Sequence, residues 1–222
     1  MSDYTATRER VEHYFDRSAT KVWDRLTSDA PVSRIRQTVR EGRDRMRATM
    51  LSRLPADLGG CRVLDAGCGT GAMTEELARR GAEVVAVDIS PQLIGIARAR
   101  LPQTLAPRVT FAAGDMTDAA HGSFDFVMAM DSLIYYSAAD IGAVLQRLGK
   151  RTRGGIVFTV APKTPFLMAF FTLGKAFPRA DRSPTMIPHA AETIAAHAKG
   201  KLRRIERVSR GFYISECLEY QP

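Results

Sequence analysis

The feature that most constrains this chain is the run Val63-Leu64-Asp65-Ala66-Gly67-Cys68-Gly69-Thr70-Gly71. Apolar residues, an aspartate and then glycines at alternate positions predict a strand that breaks into a tight turn and opens a helix. Gly67, Gly69 and Gly71 remove side chains where the backbone must turn and a ligand must come close. The helix is expected over 72–80, with Gly81 as its C-cap. Free N–H groups at a helix N-terminus favour an anionic group, here a carboxylate of a bound cofactor. By itself the turn is ambiguous. Gly67, Gly69 and Ala72 also satisfy the G-x-G-x-x-G/A spacing of dinucleotide sites, with Asp88 about twenty residues on for a ribose hydroxyl.

A chain of 222 residues holds one domain with a full core and room for an appended arm. The polar, charged N-terminus does not read as a signal peptide, and no apolar run approaches the ~20 residues that span a bilayer. Cys61, Cys68 and Cys217 have neither metal-ligand spacing nor the look of a disulfide framework, which suggests reduced thiols in a cytoplasmic protein. The formal net charge is +8. Much of it lies in Arg34, Arg36, Arg40, Arg43, Arg45, Arg47 and Arg53, and in the C-terminal Lys199, Lys201, Arg203, Arg204, Arg207 and Arg210. No nucleic-acid module accompanies these residues, so a nucleic-acid partner is not expected; a solvated face and a docking surface both remain open.

Val11, Phe15, Ala19, Val22, Trp23 and Leu26 recur at helical spacing and predict one or two amphipathic helices over 8–26. Ile35, Val39, Met46, Met50 and Leu54 mark a second helix, ended by Pro55. Gly42 inside it costs about 1 kcal/mol relative to alanine, a hint of close packing. The centre alternates strands (Arg62–Asp65, Glu83–Asp88, Val109–Ala113, Phe124–Met130, Gly155–Val160) with helices (72–80, 91–101, 139–149), the pattern of a doubly wound parallel α/β sheet. Ser90 and Pro91 suit a helix start. Strands Leu202–Ser209 and Phe212–Tyr220, joined at Arg210-Gly211, close the chain as an antiparallel hairpin. Residues 1–58 thus read as a helical arm or cap and 59–222 as the core. An aromatic-rich insertion, Phe166 to Phe177 between Pro165 and Pro178, precedes a helix over 189–198. It reads as a buried helix, as a lid at about 163–185 over a large flat apolar substrate, or as a lipid-touching surface.

Ligands of an open α/β sheet sit beyond the carboxyl ends of its strands. Asp65, Asp88, Asp115 and Asp131 all fall there. Asp65 two residues before the first glycine, Gly71 within the turn, then Val87-Asp88-Ile89-Ser90 and Gly114-Asp115-Met116 form an ordered set. That set resembles the class I S-adenosylmethionine (SAM) methyltransferases. The resemblance implies strand order 3-2-1-4-5-7-6 and N-terminal helices that cap the pocket. It places Asp88 with Ile89 at the ribose, Asp115 at the adenine amino group with Met116 on the ring, and the glycines by the methionine moiety. The loop Asp131-Ser132-Leu133-Ile134-Tyr135-Tyr136 would border the transferred methyl. Aspartates also cap helices after strands, and for Asp131 both readings stay open.

Tyr14-Phe15-Asp16-Arg17 with Trp23, the 131–136 loop, the insertion from Ala161 and the ending Ser209-Arg210-Gly211-Phe212-Tyr213-Ile214-Ser215 carry a narrower resemblance. Over essentially the whole chain they resemble the magnesium protoporphyrin IX methyltransferase family, most of all its purple-bacterial members. The resemblance implies SAM, a porphyrin substrate that brings its own Mg²⁺, and methyl transfer to one propionate carboxylate in bacteriochlorophyll biosynthesis. It implies Tyr14, Tyr135 and Tyr136 as catalytic candidates, and His13, Tyr14, Tyr135, Phe166 and Phe170 as substrate contacts, with no metal site of the protein's own; a sixth strand parallel to the others would return the 209–213 turn to the active-site edge and add Arg210. Oxygenic relatives tend to have His where Tyr135 stands, so a role tied to that His does not carry over. Implied partners are magnesium protoporphyrin IX, the porphyrin-binding subunit of magnesium chelatase, and peripheral contact with the photosynthetic membrane from the cytoplasm. A propionate suits a site poor in acid–base residues: it is ionised at neutral pH, with a pKa near that of Glu, about 4.3, and needs alignment and dryness rather than a base. Each tyrosine reads equally as a wall of the pocket or as a hydroxyl donor, and Arg210 as a carboxylate clamp or a solvated turn residue. Methylation of another apolar small molecule, and a non-enzymatic tetrapyrrole carrier, are the alternatives.

Overall fold

In the computed structural model, which describes residues 3–16, 27, 33–176 and 184–222, every strand belongs to a single sheet. Five parallel strands, β1 (Arg62–Ala66), β2 (Glu83–Asp88), β3 (Val109–Ala113), β4 (Phe124–Ala129) and β5 (Thr152–Val160), are extended by the antiparallel β7 (Tyr213–Gln221) and the edge strand β6 (Lys201–Arg210). The order is β3-β2-β1-β4-β5-β7-β6, as the class resemblance implied. Because β6 pairs antiparallel with β7 and β7 antiparallel with β5, β6 points the same way as β1–β5. Its end, and the turn at Gly211, therefore return to the edge where the carboxyl ends of the parallel strands lie.

Both faces of the parallel strands are buried, which is why they read as near-continuous apolar runs. Val63, Val84, Ala86 and Met128 pack on one face with Met46 and Met50 of α2 (Arg34–Leu51), Leu77 of α3 (Ala72–Arg79) and Ile94 of α4 (Pro91–Arg100). Leu64, Val85, Val87 and Val127 pack on the other with Tyr4 and Val11 of α1 (Asp3–Tyr14), Ile141 and Leu145 of α5 (Ala138–Gly149) and Ile194 of α7 (Ala191–Ala195). Ser90 and Ser137 cap α4 and α5 by accepting from Leu93 and Asp140 N–H, and the Ser137 hydroxyl donates back to Asp140. In the insertion, α6 (Pro165–Ala176) is helical. Among the described residues no helix is long and apolar enough to cross a membrane.

The larger boundary differences from the sequence reading have identifiable reasons. α2 ends at Leu51, before Leu54 and Pro55, where Ser52 caps it with its N–H on Ala48 and Met50 O. α1 starts at Asp3, not residue 8, because Tyr4 and Thr7 are buried against the sheet; residues 17–26, Trp23 among them, lie outside the described residues. β5 starts at Thr152, three residues early. Gly154 and Gly155 look like breakers, yet a Cβ on Gly154 would sit 2.5 Å from the Phe126 ring and 2.8 Å from Asp125 O, so this glycine admits the neighbouring strand. α7 is shorter than 189–198 because His189 is taken into a parallel bridge with Pro162.

Gly42 is the close-packing point of α2. A Cβ there would lie 2.9 Å from Tyr213 Cβ and 2.7 Å from its ring. Gly42→Ala would gain about 1 kcal/mol of helix propensity but overpack a junction whose clashing atom sits next to the backbone, a cost of about 1–3 kcal/mol. A net loss of stability is expected, read as a lower urea midpoint with unchanged slope; a raised midpoint would show that α2 is free to move off the hairpin.

Candidate functional site

The site is built from the carboxyl ends of β1, β2, β3 and β4. After β1 the chain turns through Gly67 (φ +81°), Gly69 (φ +54°) and Gly71 (φ +87°) into α3. Gly67 and Cys68 N–H both donate to Val87 O, at 2.7 and 3.0 Å, which ties the turn to β2. Asp88 closes the same link: its Oδ2 accepts from Gly69 N–H at 2.8 Å and its Oδ1 from Ser90 N–H at 2.9 Å. A Cβ on Gly67 would meet Ser132 Cβ at 2.3 Å, whereas none of the described residues stands within 4 Å of a Cβ built on Gly69 or Gly114. Gly67 is thus required by packing; Gly69 and Gly114 border open space that a ligand can enter.

The carboxylates differ in environment. Asp65 is 1% exposed and accepts from Thr74 Oγ1 at 2.5 Å; burial pushes it up to about 7. Burial also raises Asp88, to about 6, against the backbone hydrogen bonds that hold its charge. Asp115 goes the other way. Burial raises it, but Thr117, Tyr4 and Arg8 together outweigh that and leave it below the ordinary value. The Tyr4 hydroxyl donates to its Oδ1 at 2.8 Å and Arg8 pairs with its Oδ2 at 3.1 Å.

Asp131, at the end of β4, is the one non-glycine residue with positive φ (+55°) among those described. Arg43 of α2 forms an ion pair with its Oδ2, the Tyr213 hydroxyl donates to the carboxylate at 3.1 Å, and Thr159 Oγ1 donates to Oδ1 at 3.1 Å while accepting from Asp131 N–H at 2.8 Å. The loop that follows is held from behind. Ile187 N–H donates to Ile134 O at 2.8 Å, and the His189 ring meets Tyr136 O at 2.9 Å. The Tyr136 ring stacks on Tyr4 at 5.0 Å, and Phe15 packs edge-on to Tyr135 at 6.4 Å.

Asp65, Gly67, Gly69, Asp88, Ile89, Asp115, Met116, Asp131, Tyr135 and Tyr136 border one cavity of about 300 Å³, the size of a small-molecule site. Gly71 lies just outside and starts α3. His13, Tyr14, Phe166 and Arg210 do not border the cavity. Tyr14 packs edge-on to Phe15, which does, and Phe166 is 49% exposed on α6. Arg210 pairs with Glu41 at 2.9 Å. The side chain of Phe170, with Arg17 and residues 177–183, lies outside the described residues. Two groups of lining residues escaped the sequence reading. Tyr4 and Arg8 come from the start of α1, which was placed too late. Arg40, Arg43 and Arg47 come from α2; their spacing of three and four was a visible signal, hidden in a longer basic run. His121 and His189 bond to main-chain oxygens, and no metal-ligand cluster occurs among the described residues.

The Ser132 hydroxyl is buried at the cavity wall with no hydrogen-bond partner among the described residues. With the open space at Gly69 and Gly114, this is the character of a site shaped for a polar ligand: a cradle at the glycine turn and a donor or acceptor left for the ligand. The residues present fit a SAM-like molecule in kind: buried carboxylates, Asp65 and Asp88, beside a glycine turn, and Asp115 with Met116 on the same cavity.

Comparison with known proteins gives one consistent picture. The family model "Magnesium-protoporphyrin IX methyltransferase C-terminus" matches residues 129–222 and the model "Methyltransferase domain" matches residues 63–155. The magnesium-protoporphyrin O-methyltransferase of Rhodobacter capsulatus is 69% identical over 222 residues, covering 100% of this chain and 99% of that one. The protein of the same name from Synechocystis is 29% identical over 216 residues, 94% of each chain. The crystal structure of magnesium protoporphyrin IX methyltransferase from Synechocystis with bound SAH superposes with a TM-score of 0.79 at 27% identity, over 99% of this chain and 100% of that one.

The raised value of Asp65 sets a pH dependence. The folded state holds this proton more tightly than the unfolded chain, whose aspartate titrates near 3.8, so the carboxyl's contribution to stability is full below that value and is lost as pH rises through about 7. The melting temperature of the ligand-free protein is expected to fall more steeply across this window than that of Asp65→Asn, in which Thr74 still has an acceptor. Parallel melting curves for the two proteins from pH 4.5 to 7.5 would refute the assignment.

Proposed function

We infer the activity from one premise: the chain belongs to the magnesium-protoporphyrin O-methyltransferase family. It is a SAM-dependent O-methyltransferase that esterifies a propionate carboxylate of magnesium protoporphyrin IX in chlorophyll-type biosynthesis. The observation that carries this reading is the 69% identity running the full length of the chain, arm and insertion included. SAM supplies an electrophilic methyl group; the protein's own residues bind, orient and keep water out.

The role of each residue is the one the resemblance implies, and its place on the cavity supports it. Asp88, with Ile89, is assigned to the ribose hydroxyls, and Asp115 with Met116 to the adenine. Gly69 lets the backbone approach the amino-acid end, where Asp65 balances the ammonium. Tyr135 and Tyr136 wall the place where oxygen and methyl carbon meet. Tyr14, which packs edge-on to the cavity-lining Phe15, and His13 are assigned to the porphyrin. The nucleophile is a carboxylate already ionised at neutral pH, so the work of the site is alignment and exclusion of water, not proton removal. Residues 1–58 are read as the cap of the cleft and 163–185 as the lid over the porphyrin, with Phe166 and Phe170 against the ring. The exposed Phe166 on the apolar α6 also supports contact with a membrane surface or with the chelatase subunit that delivers the substrate.

Incubation with SAM and magnesium protoporphyrin, with metal-free protoporphyrin as control, tests the reaction; porphyrin binding without ester formation would mark a carrier instead. Asp88→Ala is expected to weaken SAM binding by about 1–3 kcal/mol, the cost of unpaired hydrogen-bonding groups. Calorimetry on the folded variant decides, and unchanged affinity removes Asp88 from the ribose. Tyr135→Phe and Tyr136→Phe separate hydroxyl from ring: a hydroxyl that positions the propionate shows as lost turnover at unchanged SAM affinity, while wild-type turnover in both makes the tyrosines walls only.

A further inference from the structure

The cleft carries charge of both signs. At its glycine-turn end stand the buried carboxylates of Asp65 and Asp88. α2 presents Arg40, Arg43 and Arg47, which share one helical face by their spacing and border the same cavity, as does Asp44 between them. Arg43 is pinned by Asp131, itself gripped by Tyr213 and Thr159, and its side chain is 18% exposed. Arg47 pairs with Asp44 at 2.6 Å, with 23% of its side chain exposed. Arg210, which the sequence suggested as a carboxylate clamp, is instead engaged with Glu41 on the outer side of the same helix.

The carboxylates suit a cationic methyl donor; the guanidinium groups suit a carboxylate. A guanidinium offers five N–H donors in a planar fork that fits a carboxylate in bidentate fashion. The substrate inferred above carries two propionates, and the two need opposite treatment. The reacting carboxylate must keep its lone pairs for the methyl carbon, and a tight guanidinium clamp would withdraw them. The other propionate stays charged throughout and has to leave water when the ring enters the cleft, which costs heavily unless it is paired.

Resting on that reading of the substrate, we propose that Arg40 and Arg47, with Arg43 fixed between them by Asp131, form an anion subsite on α2 that holds the propionate that is not methylated. The subsite sets the orientation of the ring and selects the diacid. It also discriminates against the product: a monoester bound the other way round would put its ester, with no charge, against the arginines, so a second methylation is disfavoured.

The test compares magnesium protoporphyrin with its dimethyl ester, which keeps the ring and the metal but has no carboxylate. Tryptophan-fluorescence quenching gives the affinity of each porphyrin, and calorimetry that of SAM. For the wild type, the diacid is expected to bind more tightly, and its affinity alone to fall as KCl is raised. In Arg40→Gln/Arg47→Gln, loss of two charge-assisted contacts is expected to weaken the diacid about tenfold or more, to leave the dimethyl ester and SAM within about twofold, and to raise KM for the diacid more than it lowers kcat. Arg40→Lys/Arg47→Lys, which keeps charge but not the fork, should recover part of the loss. Equal weakening of both porphyrins, or a diacid affinity indifferent to the variant and to salt, overturns the subsite. A wild type that binds the diacid and methylates it, yet shows no preference over the dimethyl ester, also overturns it and leaves the activity standing. A wild type that neither binds nor methylates the diacid removes the activity itself. The salt series needs no variant, so a misfolded double mutant does not protect the proposal.

Discussion

The carboxylate of Asp131 is the contact on which the cleft depends. Arg43 of α2, Tyr213 of the terminal hairpin and Thr159 of β5 all meet at this one group at the end of β4. Asp131 itself sits in the left-handed region, a conformation that a non-glycine residue keeps only where its surroundings over-determine it. The network supplies that. It turns the chain out of β4 so that Ser132 packs against Gly67 and the two tyrosines face the glycine turn. Through Arg43 it also fixes which face of α2 looks inward. Without this carboxylate, Arg43 would lose its ion pair in a mostly buried place, the situation that makes broken buried pairs costly.

A second constraint works from the opposite wall. Asp115 is satisfied by Thr117, by the Tyr4 hydroxyl and by Arg8, while Tyr4 stacks on Tyr136. The first turns of α1 thus touch both the acid assigned to the adenine and the loop assigned to the substrate. Any ligand that takes up hydrogen bonds with Asp115 exchanges them against those of Tyr4 and Arg8. The N-terminal helix is therefore part of the site's energetics and not an accessory to it. Arg8 Nε, buried with no hydrogen-bond partner among the described residues, marks the clamp as imperfect in this arrangement.

The chemistry needs little beyond this scaffold. Esterification of an ionised propionate calls for no base, and the two histidines nearest the loop and Asp115 are taken by main-chain oxygens. Burial pushes the His189 imidazole below its ordinary value, favouring its neutral form. What the fold provides is geometry: a glycine turn tied to β2 by Val87 O and Asp88, a tyrosine loop braced by Ile187 and His189, and both buried carboxylates and α2 arginines on one cleft.

How much of this was legible before folding follows from the range of each interaction. The sheet order, the glycine turn and the aspartates at the strand ends were readable because each depends on local rules: alternation of element types, backbone freedom of glycine, and the place of strand ends in an open sheet. The packing role of Gly42 was readable too, since a glycine in a good helix needs a reason. The partners were not. Nothing local ties Arg43 to Asp131, or Tyr4 to Asp115, across 88 and 111 positions. Nor does periodicity say which arginines of a basic run turn inward. The sequence by itself determined a SAM-type α/β fold and, through its ordered motifs, the family. Only the tertiary structure decided that Arg40, Arg43 and Arg47 of the basic run border the cleft while Arg210 pairs with Glu41, because that choice is made by Gly42 seating α2 on Tyr213 and by one buried carboxylate holding Arg43 in place.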